Sequence, residues 1–422
     1  MKRYESYKDS GVEWLGEVPA SWNLTIGMNV FKENKRDNKG MKEKTVLSLS
    51  YGQIIIKPEE KLVGLVPESF ETYQIVEPND IIIRCTDLQN DKTSLRTGLA
   101  KDKGIITSAY LNLNVINGYS AKFMHYYLYA LDITKILYKF GSGLRQNLSF
   151  LDFKRLPIID ISFSEQQKIA HYLDAKTTKI EQAISLTKKQ IELLKEHKQI
   201  LIQSAVTKGL DSDVAMKDSG VEWIEEVPSH WEVSSLGKIL LPVSKKNRPD
   251  LPLLSITREL GVIKRNVEDL ESNHNFIPDD LSNYKVLKKG QFGMNKMKAW
   301  QGSYGVSNFT GIVSPAYYIF DFIKSVNPVF FHWAIRSKIY VSFFGMASDG
   351  VRIGQWDLSK SRMKFIPFVI PSDEEQQKIS QYLDDKTTKI DQAISLKQQH
   401  IEKLKEYKSV LINDVVTGKA KV

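Results

Sequence analysis

An internal repeat constrains the fold of this chain more than any other feature of its sequence. The segment Lys8–Trp22 returns as Lys217–Trp231 with 11 of 15 positions identical. A second segment, Glu165–Leu186, returns as Glu375–Leu396 with 18 of 22 positions identical. The interiors between these segments, residues 23–150 and 232–360, have similar lengths but little evident identity. We call the repeated opening segments, Lys8–Trp22 and Lys217–Trp231, the frames. This order of parts predicts two domains that open with the same frame and have divergent interiors.

The second repeated segment predicts a long helix in each half of the chain. Ser164 and Gln167 have the spacing of a capping box, and Ser372 provides an N-cap in the second copy. Beyond the caps, apolar residues recur in heptads over about 40 residues. The heptad positions are Leu173, Ile180, Thr187, Leu194 and Leu201 with Thr177, Ile184, Ile191, Lys198 and Ala205, then Leu383, Ile390, Lys397, Leu404 and Leu411 with Thr387, Ile394, Ile401, Lys408 and Val415. We expect the two helices to pair antiparallel, which brings the carboxyl terminus beside the amino terminus.

The two interiors predict mixed α/β domains. Strand-like runs occupy residues 45–50, 54–56, 80–85, 109–115, 251–256 and 315–320, and aromatic-rich helices occupy residues 121–137 and 328–341. Each interior closes with a strand that we expect to end at a proline, Pro157 or Pro367. The predicted fold class is mixed α/β, with two similar domains separated by a long antiparallel two-helix coiled coil. The predicted boundaries are residues 1–163 and 210–371 for the domains and residues 164–209 and 372–422 for the helices.

Composition narrows the class of protein. The 422 residues include one cysteine, Cys85, which excludes an internal disulfide and is expected to be a buried thiol. No run approaches the roughly 18 apolar residues that span a bilayer, and the first residues lack the apolar stretch of a signal peptide, so we expect a cytoplasmic protein without a membrane partner. A net charge of +9 favours a polyanionic partner, and much of it lies in the interiors, with 17 basic and 13 acidic side chains in the first and 17 and 11 in the second.

The repeated frame resembles that of the specificity subunits of type I restriction–modification systems. Lys8–Trp14 with Val18, Pro19 and Trp22, present twice, is similar to that family's opening to each target-recognition domain, and residues 165–170 and 375–380 are similar to its entry into the conserved helix. The resemblance covers essentially the whole chain. It implies that each domain reads one half of a bipartite sequence in double-stranded DNA.

The resemblance also implies a set of partners. The conserved helices would bind two modification (methyltransferase) subunits, and restriction subunits would join the complex. S-adenosylmethionine, ATP and Mg would be used by those partner subunits and not by this chain. We therefore expect a chain that is not itself an enzyme and that holds no cofactor.

Motifs of an autonomous enzyme are absent from the sequence. Gly237-Lys238 is followed by Ile239, so no phosphate-binding loop is formed, and Asn327-Pro328 lacks the continuation of an adenine methylase motif. The seven histidines show no metal-ligand spacing. A nuclease alternative would use Asp279, Asp280, Asp349 and Asp357 around magnesium, but no ordered carboxylate–lysine pattern accompanies them.

Basic and amide side chains in both interiors are candidates for DNA contact. A basic loop follows each frame, and a glycine-rich loop precedes each closing strand; arginine pairs with guanine, and asparagine or glutamine with adenine. A third segment in each interior mixes basic, aromatic and amide groups. The candidates are Lys32, Lys35, Arg36, Arg84, Arg96, Arg145, Gln146 and Asn147 in the first domain, and Lys245, Lys246, Arg248, Lys296, Lys298, Trp300, Gln301, Arg352 and Gln355 in the second. The alternatives are solvated loops, turns that need glycine for their backbone, and a core tryptophan.

The frame tryptophans receive a different interpretation. Trp14, Trp22, Trp223 and Trp231 are the same in both copies, whereas residues that read two different half-sites should differ. We interpret the frames as packing against the ends of the coiled coil and offering a surface to the partner subunits. A purely internal packing role is the alternative. At the level of the whole chain, the alternative function is a protein-interaction scaffold that does not bind DNA.

Overall fold

A computed structural model of the chain describes residues 2–58, 60, 69–89, 95–141, 146–266, 277–350 and 356–422. The chain divides into two compact units, which we call the first unit (residues 1–187 and 398–422) and the second unit (residues 188–397). Among the described residues, no helix is both long enough and apolar enough to cross a membrane.

The first unit is built mainly from short antiparallel strands. Its strands are β1 (Tyr7–Asp9), β2 (Glu17–Pro19), β3 (Asn23–Ile26), β4 (Phe31–Glu33), β5 (Leu47–Ser50), β6 (Gln53–Ile56), β7 (Gln74–Val76), β8 (Ile81–Ile83), β9 (Thr97–Leu99), β10 (Gly104–Ile106), β11 (Leu111–Val115) and β12 (Pro157–Asp160). Its helices are α1 (Ala121–Ile133), α2 (Phe150–Arg155), the first part of α3 (Phe163–Lys208) and the last part of α8 (Asp373–Val416).

A four-stranded sheet of order β4-β11-β8-β9 lies at the centre of the first unit. The three isoleucines of β8 are all buried, because successive side chains of a strand face opposite sides of the sheet and both sides are covered. Ile81 and Ile83 belong to the large core that α1 completes, while Ile82 packs into a smaller cluster with Leu47 and Ile54 of β5 and β6.

The second unit contains counterparts of all these strands in the same order, together with an additional strand pair, β24 (Ser348–Asp349) and β25 (Asp357–Leu358). Its other strands are β13 (Met216–Asp218), β14 (Glu226–Pro228), β15 (Glu232–Ser235), β16 (Leu240–Val243), β17 (Leu254–Thr257), β18 (Gly261–Lys264), β19 (Lys285–Leu287), β20 (Phe292–Asn295), β21 (Tyr304–Val306), β22 (Gly311–Val313), β23 (Tyr317–Phe322) and β26 (Pro367–Ile370). Its helices are the last part of α3, α4 (Leu236–Ile239), α5 (Pro328–Ile335), α6 (Lys338–Met346), α7 (Lys360–Met363) and the first part of α8 (Asp373–Val416).

The two units share one topology. The central sheet of the second unit has the order β16-β23-β20-β21, which matches β4-β11-β8-β9 strand for strand. Smaller pairs also correspond: β1-β2 with β13-β14, β5-β6 with β17-β18, β7-β10 with β19-β22, and β3-β12 with β15-β26. The predicted mixed α/β class and the predicted repeat are therefore confirmed, although the interiors share little sequence.

The long helices pair antiparallel inside each unit. In the first unit, Glu181 of α3 accepts a hydrogen bond from Lys408 of α8 at 2.6 Å. In the second unit, Lys397 donates to Gln190 at 2.7 Å and Lys198 donates to Asp391 at 2.6 Å. Residue numbers in α8 therefore decrease as those of their partners in α3 increase, which is the order of an antiparallel pair. The predicted heptad positions are buried or half-buried along both helices, which confirms the predicted seam. The two compact units divide both helices near their middles, and the predicted domain boundaries stay a prediction.

The chain ends lie together in the first unit, as the antiparallel helices predict. The Lys421 N–H donates to the Lys2 carbonyl at 2.9 Å, and the Tyr7 hydroxyl donates to the Gly418 carbonyl at 3.2 Å. Each frame packs on the end of a long helix: a Cβ on Gly418 would fall 2.8 Å from the Trp22 indole, and one on Gly209 would fall 3.3 Å from Trp231.

Three local predictions are wrong. Ser164 does not cap α3, because the helix already includes Phe163 and the Glu165 N–H donates to Ser162 Oγ at 3.2 Å. Pro157 and Pro367 begin strands β12 and β26 instead of ending them, because proline has no N–H to donate and is tolerated at the first residue of a strand. The predicted helix over residues 121–137 ends at Ile133, followed by Lys135 with φ of 62° and a 3-10 turn, and the one over residues 328–341 is broken at Ser337 into two helices.

Candidate nucleic-acid interface

Two candidate segments of the first unit lie side by side. The loop after β8 meets the segment that leads into α2: the Asp87 N–H donates to Asn147 Oδ1 at 2.9 Å, and the Leu88 N–H donates to the Gln146 carbonyl at 3.4 Å. Gln146 and Asn147 are exposed, and Gln146 has a φ of 47°. Arg145 lies outside the described residues, so its role stays a prediction. This end of the sheet thus presents two exposed amide side chains, Gln146 and Asn147, beside the loop after β8.

Arg96 does not belong to this surface, and its predicted role in DNA contact is wrong. Its side chain is fully buried, and its guanidinium donates to the carbonyl oxygens of Arg84 at 3.2 Å, Thr86 at 2.8 Å and Asp87 at 3.1 Å. Its Nε donates to the Tyr138 hydroxyl at 3.1 Å. A buried cation that satisfies three carbonyls shapes the loop from within and cannot reach DNA. Arg84, at the start of the same loop, is half-buried.

The basic loop after the first frame divides into two kinds of residue. Lys32 and Lys35 are exposed, and Lys35 has Glu33 as a partner at 3.3 Å. Arg36, in contrast, pairs with the buried carboxylate of Asp80. Arg36 therefore stabilises the sheet edge, a role that the sequence did not predict, while Lys32 and Lys35 remain candidates for phosphate contact.

The second unit brings its own candidate segments together in the same way. The residues after β20 meet the residues just before α7: the Leu358 N–H donates to the Lys296 carbonyl at 3.0 Å, and Lys296 Nζ lies 2.9 Å from Asp357 Oδ2. The Trp300 ring lies 5.0 Å from the Trp356 ring. Trp300 is half-buried, so the alternative of a deep core tryptophan does not hold.

The remaining candidates of this segment differ in exposure. Lys298 is exposed and Gln301 is half-buried. Arg352 and Gln355, which the sequence singled out in the loop before α7, lie outside the described residues, so their roles stay predictions.

Strand register shows that the candidate loops are equivalent in the two units. Ile82 of β8 pairs with Gly98 of β9, and Gly293 of β20 pairs with Gly305 of β21. The loop after β8 and the loop after β20 therefore begin at corresponding positions of the two central sheets. Each also contacts the segment before the short helix that precedes the closing strand. The scaffold repeats while the side chains it presents differ.

The basic loop after the second frame is fully solvated. Lys245, Lys246 and Arg248 are all exposed. Arg248 is held by Asp250 through two hydrogen bonds of 2.7 and 2.6 Å, which offsets its charge locally. The two lysines are therefore the better candidates for phosphate contact in this loop.

Sequence reasoning missed two lysines of the second unit. Lys285 Nζ donates to the Tyr317 carbonyl at 2.7 Å, and Lys360 Nζ lies 4.1 Å above the Tyr318 ring. Burial lowers the pKa of Lys285, and the charges of Lys360, Lys246 and Lys296 lower it further. The four lysines lie in different strands and loops and in a one-turn helix, so no spacing along the sequence indicates that they are close together.

The frame tryptophans are mostly internal. Trp22 and Trp231 are 3% and 1% exposed, so the predicted partner surface is wrong for them and the alternative of internal packing holds. Trp14 is half-buried against Tyr127, with ring centroids 6.4 Å apart. Trp223 is 54% exposed and remains a candidate for partner contact.

Glu375, at the start of α8, ties that helix to the frame of the second unit. It accepts hydrogen bonds from the Trp231 indole at 3.1 Å and from Ser372, and His230 Nε2 lies 2.9 Å away. Burial raises the pKa of Glu375, but the hydrogen bonds from Ser372, Trp231 and His230 outweigh it and bring the pKa to about 2. The carboxylate is therefore charged at neutral pH, and it fixes the frame on the helix start.

Three of the four carboxylates of the nuclease alternative have local partners. Asp357 pairs with Lys296, Asp349 pairs with Arg362, and Asp280 accepts from Ser282. In the part of the chain that the structure describes, no group of three or more histidine, cysteine, aspartate or glutamate side chains is placed to hold a metal ion. His332 accepts from the Val306 N–H at 3.1 Å, and burial lowers its pKa to about 4, so its ring is neutral at pH 7.

Comparisons with known proteins agree with this architecture. No protein-family model matches the chain. A chain from a structure of a type I R-M system, solved for its complex assembly and conformational transition, is similar over 94% of this chain and 98% of that chain, with a TM-score of 0.65 and 13% identity. The HsdS subunit from Thermoanaerobacter tengcongensis is similar over 96% of this chain and 98% of that subunit, with a TM-score of 0.52 and 13% identity. Over nearly its whole length, the chain thus has the fold of that subunit, with two mixed α/β domains joined by long helices.

Proposed function

We propose that this chain is the specificity subunit of a type I restriction–modification system. It binds double-stranded DNA without catalytic groups of its own, and each unit reads one half of a bipartite target. The whole-length likeness to the HsdS subunit supports this proposal, as does the resemblance of the repeated frame and helix entry.

One observation carries the proposal: a repeated scaffold presents different side chains from the same place. In the first unit, the loop after β8 carries the exposed Gln89 and meets the segment with Gln146 and Asn147. In the second unit, the equivalent loop after β20 carries Lys298 and Trp300. Amide and basic groups are the ones that distinguish base pairs in the major groove. Two readers that share a scaffold but differ at their contact residues suit two different half-sites.

Exposed apolar side chains on the long helices support binding to two modification subunits. Leu186, Leu193 and Ile200 are exposed at intervals of seven residues along α3, which places them on one side of the helix. Leu396 and Val410 are exposed on α8 at the positions that repeat Leu186 and Ile200. Exposed apolar patches mark interaction sites, and a patch that occurs twice suits two copies of one partner. The partners would supply methylation with S-adenosylmethionine, and ATP- and Mg-dependent cleavage through restriction subunits.

Selection from a DNA library tests the bipartite reading. The full chain, produced with its modification subunits, should select two short sequences separated by a gap of fixed length. Gln146→Ala with Asn147→Ala should relax one half-site, and Lys298→Ala with Trp300→Ala should relax the other. Selection of one continuous sequence, or relaxation of both halves by either double variant, would contradict the proposal.

The partner surface has its own test. Leu186→Glu with Ile200→Glu should remove one of two bound modification subunits, as counted by native mass spectrometry. Leu396→Glu with Val410→Glu should remove the other. Full assembly of both double variants would contradict this part of the proposal.

A further inference from the structure

Four lysines of the second unit converge on the start of β23. Lys285 donates to the Tyr317 carbonyl at 2.7 Å, and Lys360 lies 4.1 Å above the neighbouring Tyr318 ring. Lys296 follows Asn295, which pairs directly with Tyr317. Lys246 directly follows Lys245, and the Lys245 carbonyl accepts a hydrogen bond at 2.7 Å from the N–H of Val286, the neighbour of Lys285. We call these four residues, Lys246, Lys285, Lys296 and Lys360, the lysine cluster.

The lysine cluster is electrostatically strained. Lys246 and Lys360 are exposed, Lys285 is half-buried, and Lys296 is paired with Asp357 at 2.9 Å. Burial lowers the pKa of Lys285, and the other three lysines lower it further, which is the signature of mutual repulsion. An anion bound among them would relieve that repulsion, and a chain of phosphates would do so at several lysines at once.

The first unit has no basic residue at the equivalent positions, as the strand register shows. Gln74 occupies the place of Lys285, and its amide donates to the Tyr110 carbonyl at 2.6 Å as Lys285 donates to Tyr317. The Arg36 carbonyl accepts from the Ile75 N–H of β7 as the Lys245 carbonyl accepts from the Val286 N–H of β19, so Asp37 takes the place of Lys246. Cys85 takes the place of Lys296, because the strand register aligns β8 with β20. Phe150 takes the place of Lys360, because each directly follows the N-cap serine of its helix, α2 or α7.

We propose that the lysine cluster binds backbone phosphates of DNA and anchors the second unit, so that the two units bind their half-sites with unequal electrostatic contributions. This inference rests on the proposed function and deepens it. The second unit would supply the larger part of the salt-dependent affinity. The first unit would depend more on contacts that salt does not weaken.

The chain itself provides a conservative substitution for the test. Lys285→Gln should keep the hydrogen bond to the Tyr317 carbonyl, because Gln74 makes that bond in the first unit. Lys360→Gln changes an exposed side chain, so it should leave the fold intact. A matched control, Lys188→Gln with Lys389→Gln, removes the same charge from exposed positions on the helices of the second unit.

The measurement is duplex affinity of the full chain, with its modification subunits, at 50 to 300 mM salt. Lys285→Gln with Lys360→Gln should lower the slope of log affinity against log salt by about 2, because each lost phosphate contact removes about 0.9. At 0.1 M salt the affinity for every sequence should fall roughly 10- to 100-fold, with sequence preference unchanged. Gln74→Lys in the first unit should raise the slope by about 1.

The outcomes separate the inference from the proposed function. A parent protein that binds no duplex at low salt would contradict the proposed function itself. A parent protein that binds DNA, with a double variant whose slope equals that of the control, would overturn the lysine cluster. If Lys285→Gln reduces folding, Lys360→Gln alone should still lower the slope by about 1.

Discussion

Replacing Arg96 with methionine should destabilise the first unit and leave the chemistry of the DNA surface unchanged. Methionine keeps an unbranched apolar side chain in the same space but removes every donor. Three loop carbonyls, those of Arg84, Thr86 and Asp87, then lose a charged hydrogen-bond partner. The side chain also loses its contact with the Tyr138 ring, whose centroid lies 5.3 Å from the guanidinium carbon.

The size of the effect follows from these contacts. A hydrogen bond to a charged group contributes about 1.5 to 3 kcal/mol, but water can reach part of this loop and replace some of the lost bonds. The methionine also avoids the cost of burying a cation. The balance is a loss of about 3 kcal/mol, or a fall of roughly 6 to 12 °C in the melting temperature of a unit of this size.

Calorimetry and hydrogen exchange measure this change. The thermal transition of the first unit should fall, and exchange should accelerate in residues 84–89 and 95–99. Arg155→Met is the matched control, because Arg155 is exposed in the same unit, and it should change stability by under about 0.5 kcal/mol. Normal stability of Arg96→Met combined with weakened DNA binding would refute the reasoning and restore Arg96 as a DNA contact.

Three further predictions concern packing, pH and helix length. Gly418→Ala places a Cβ 2.8 Å from an indole carbon at a φ of 77°, so it should lower the free energy of unfolding by about 2 to 4 kcal/mol in denaturant melts. Gly118→Ala, at a φ of 76° with open space around it, should lower it by about 1 kcal/mol. Equal losses in the two variants would contradict the packing of Gly418 on Trp22. Burial raises the pKa of Asp132 to about 6, so the folded state keeps a proton that the unfolded chain releases near pH 4. Stability should therefore fall by up to about 3 kcal/mol as pH rises from about 4 to 6, and Asp132→Asn should remove that slope. One heptad added to both long helices at the Gln190–Lys397 pair should lengthen the preferred gap between half-sites by about 3 base pairs, and an unchanged gap in library selection would show that the helices do not set it.

The sequence alone determined the features that repeat along the chain. Duplicated frames and heptads are one-dimensional patterns, and the spacing of apolar residues fixes which side of a helix is buried. For that reason the repeat, the mixed α/β class, the antiparallel helices and the neighbouring chain ends could all be predicted. Buried β8 could also be predicted, because a run of isoleucines suits a strand covered on both faces.

The tertiary structure alone decided which charged residues belong to the surface. Arg96 and Lys285 are both basic residues where a strand begins, Arg96 directly before β9 and Lys285 as the first residue of β19, and nothing local distinguishes them. One is buried because three loop carbonyls and Tyr138 surround it, and the other remains half-buried beside three more lysines. Burial and the proximity of charges depend on strand pairing between residues far apart in sequence, such as Asn295 with Tyr317. A linear pattern carries no record of that pairing, so the lysine cluster became visible only in three dimensions.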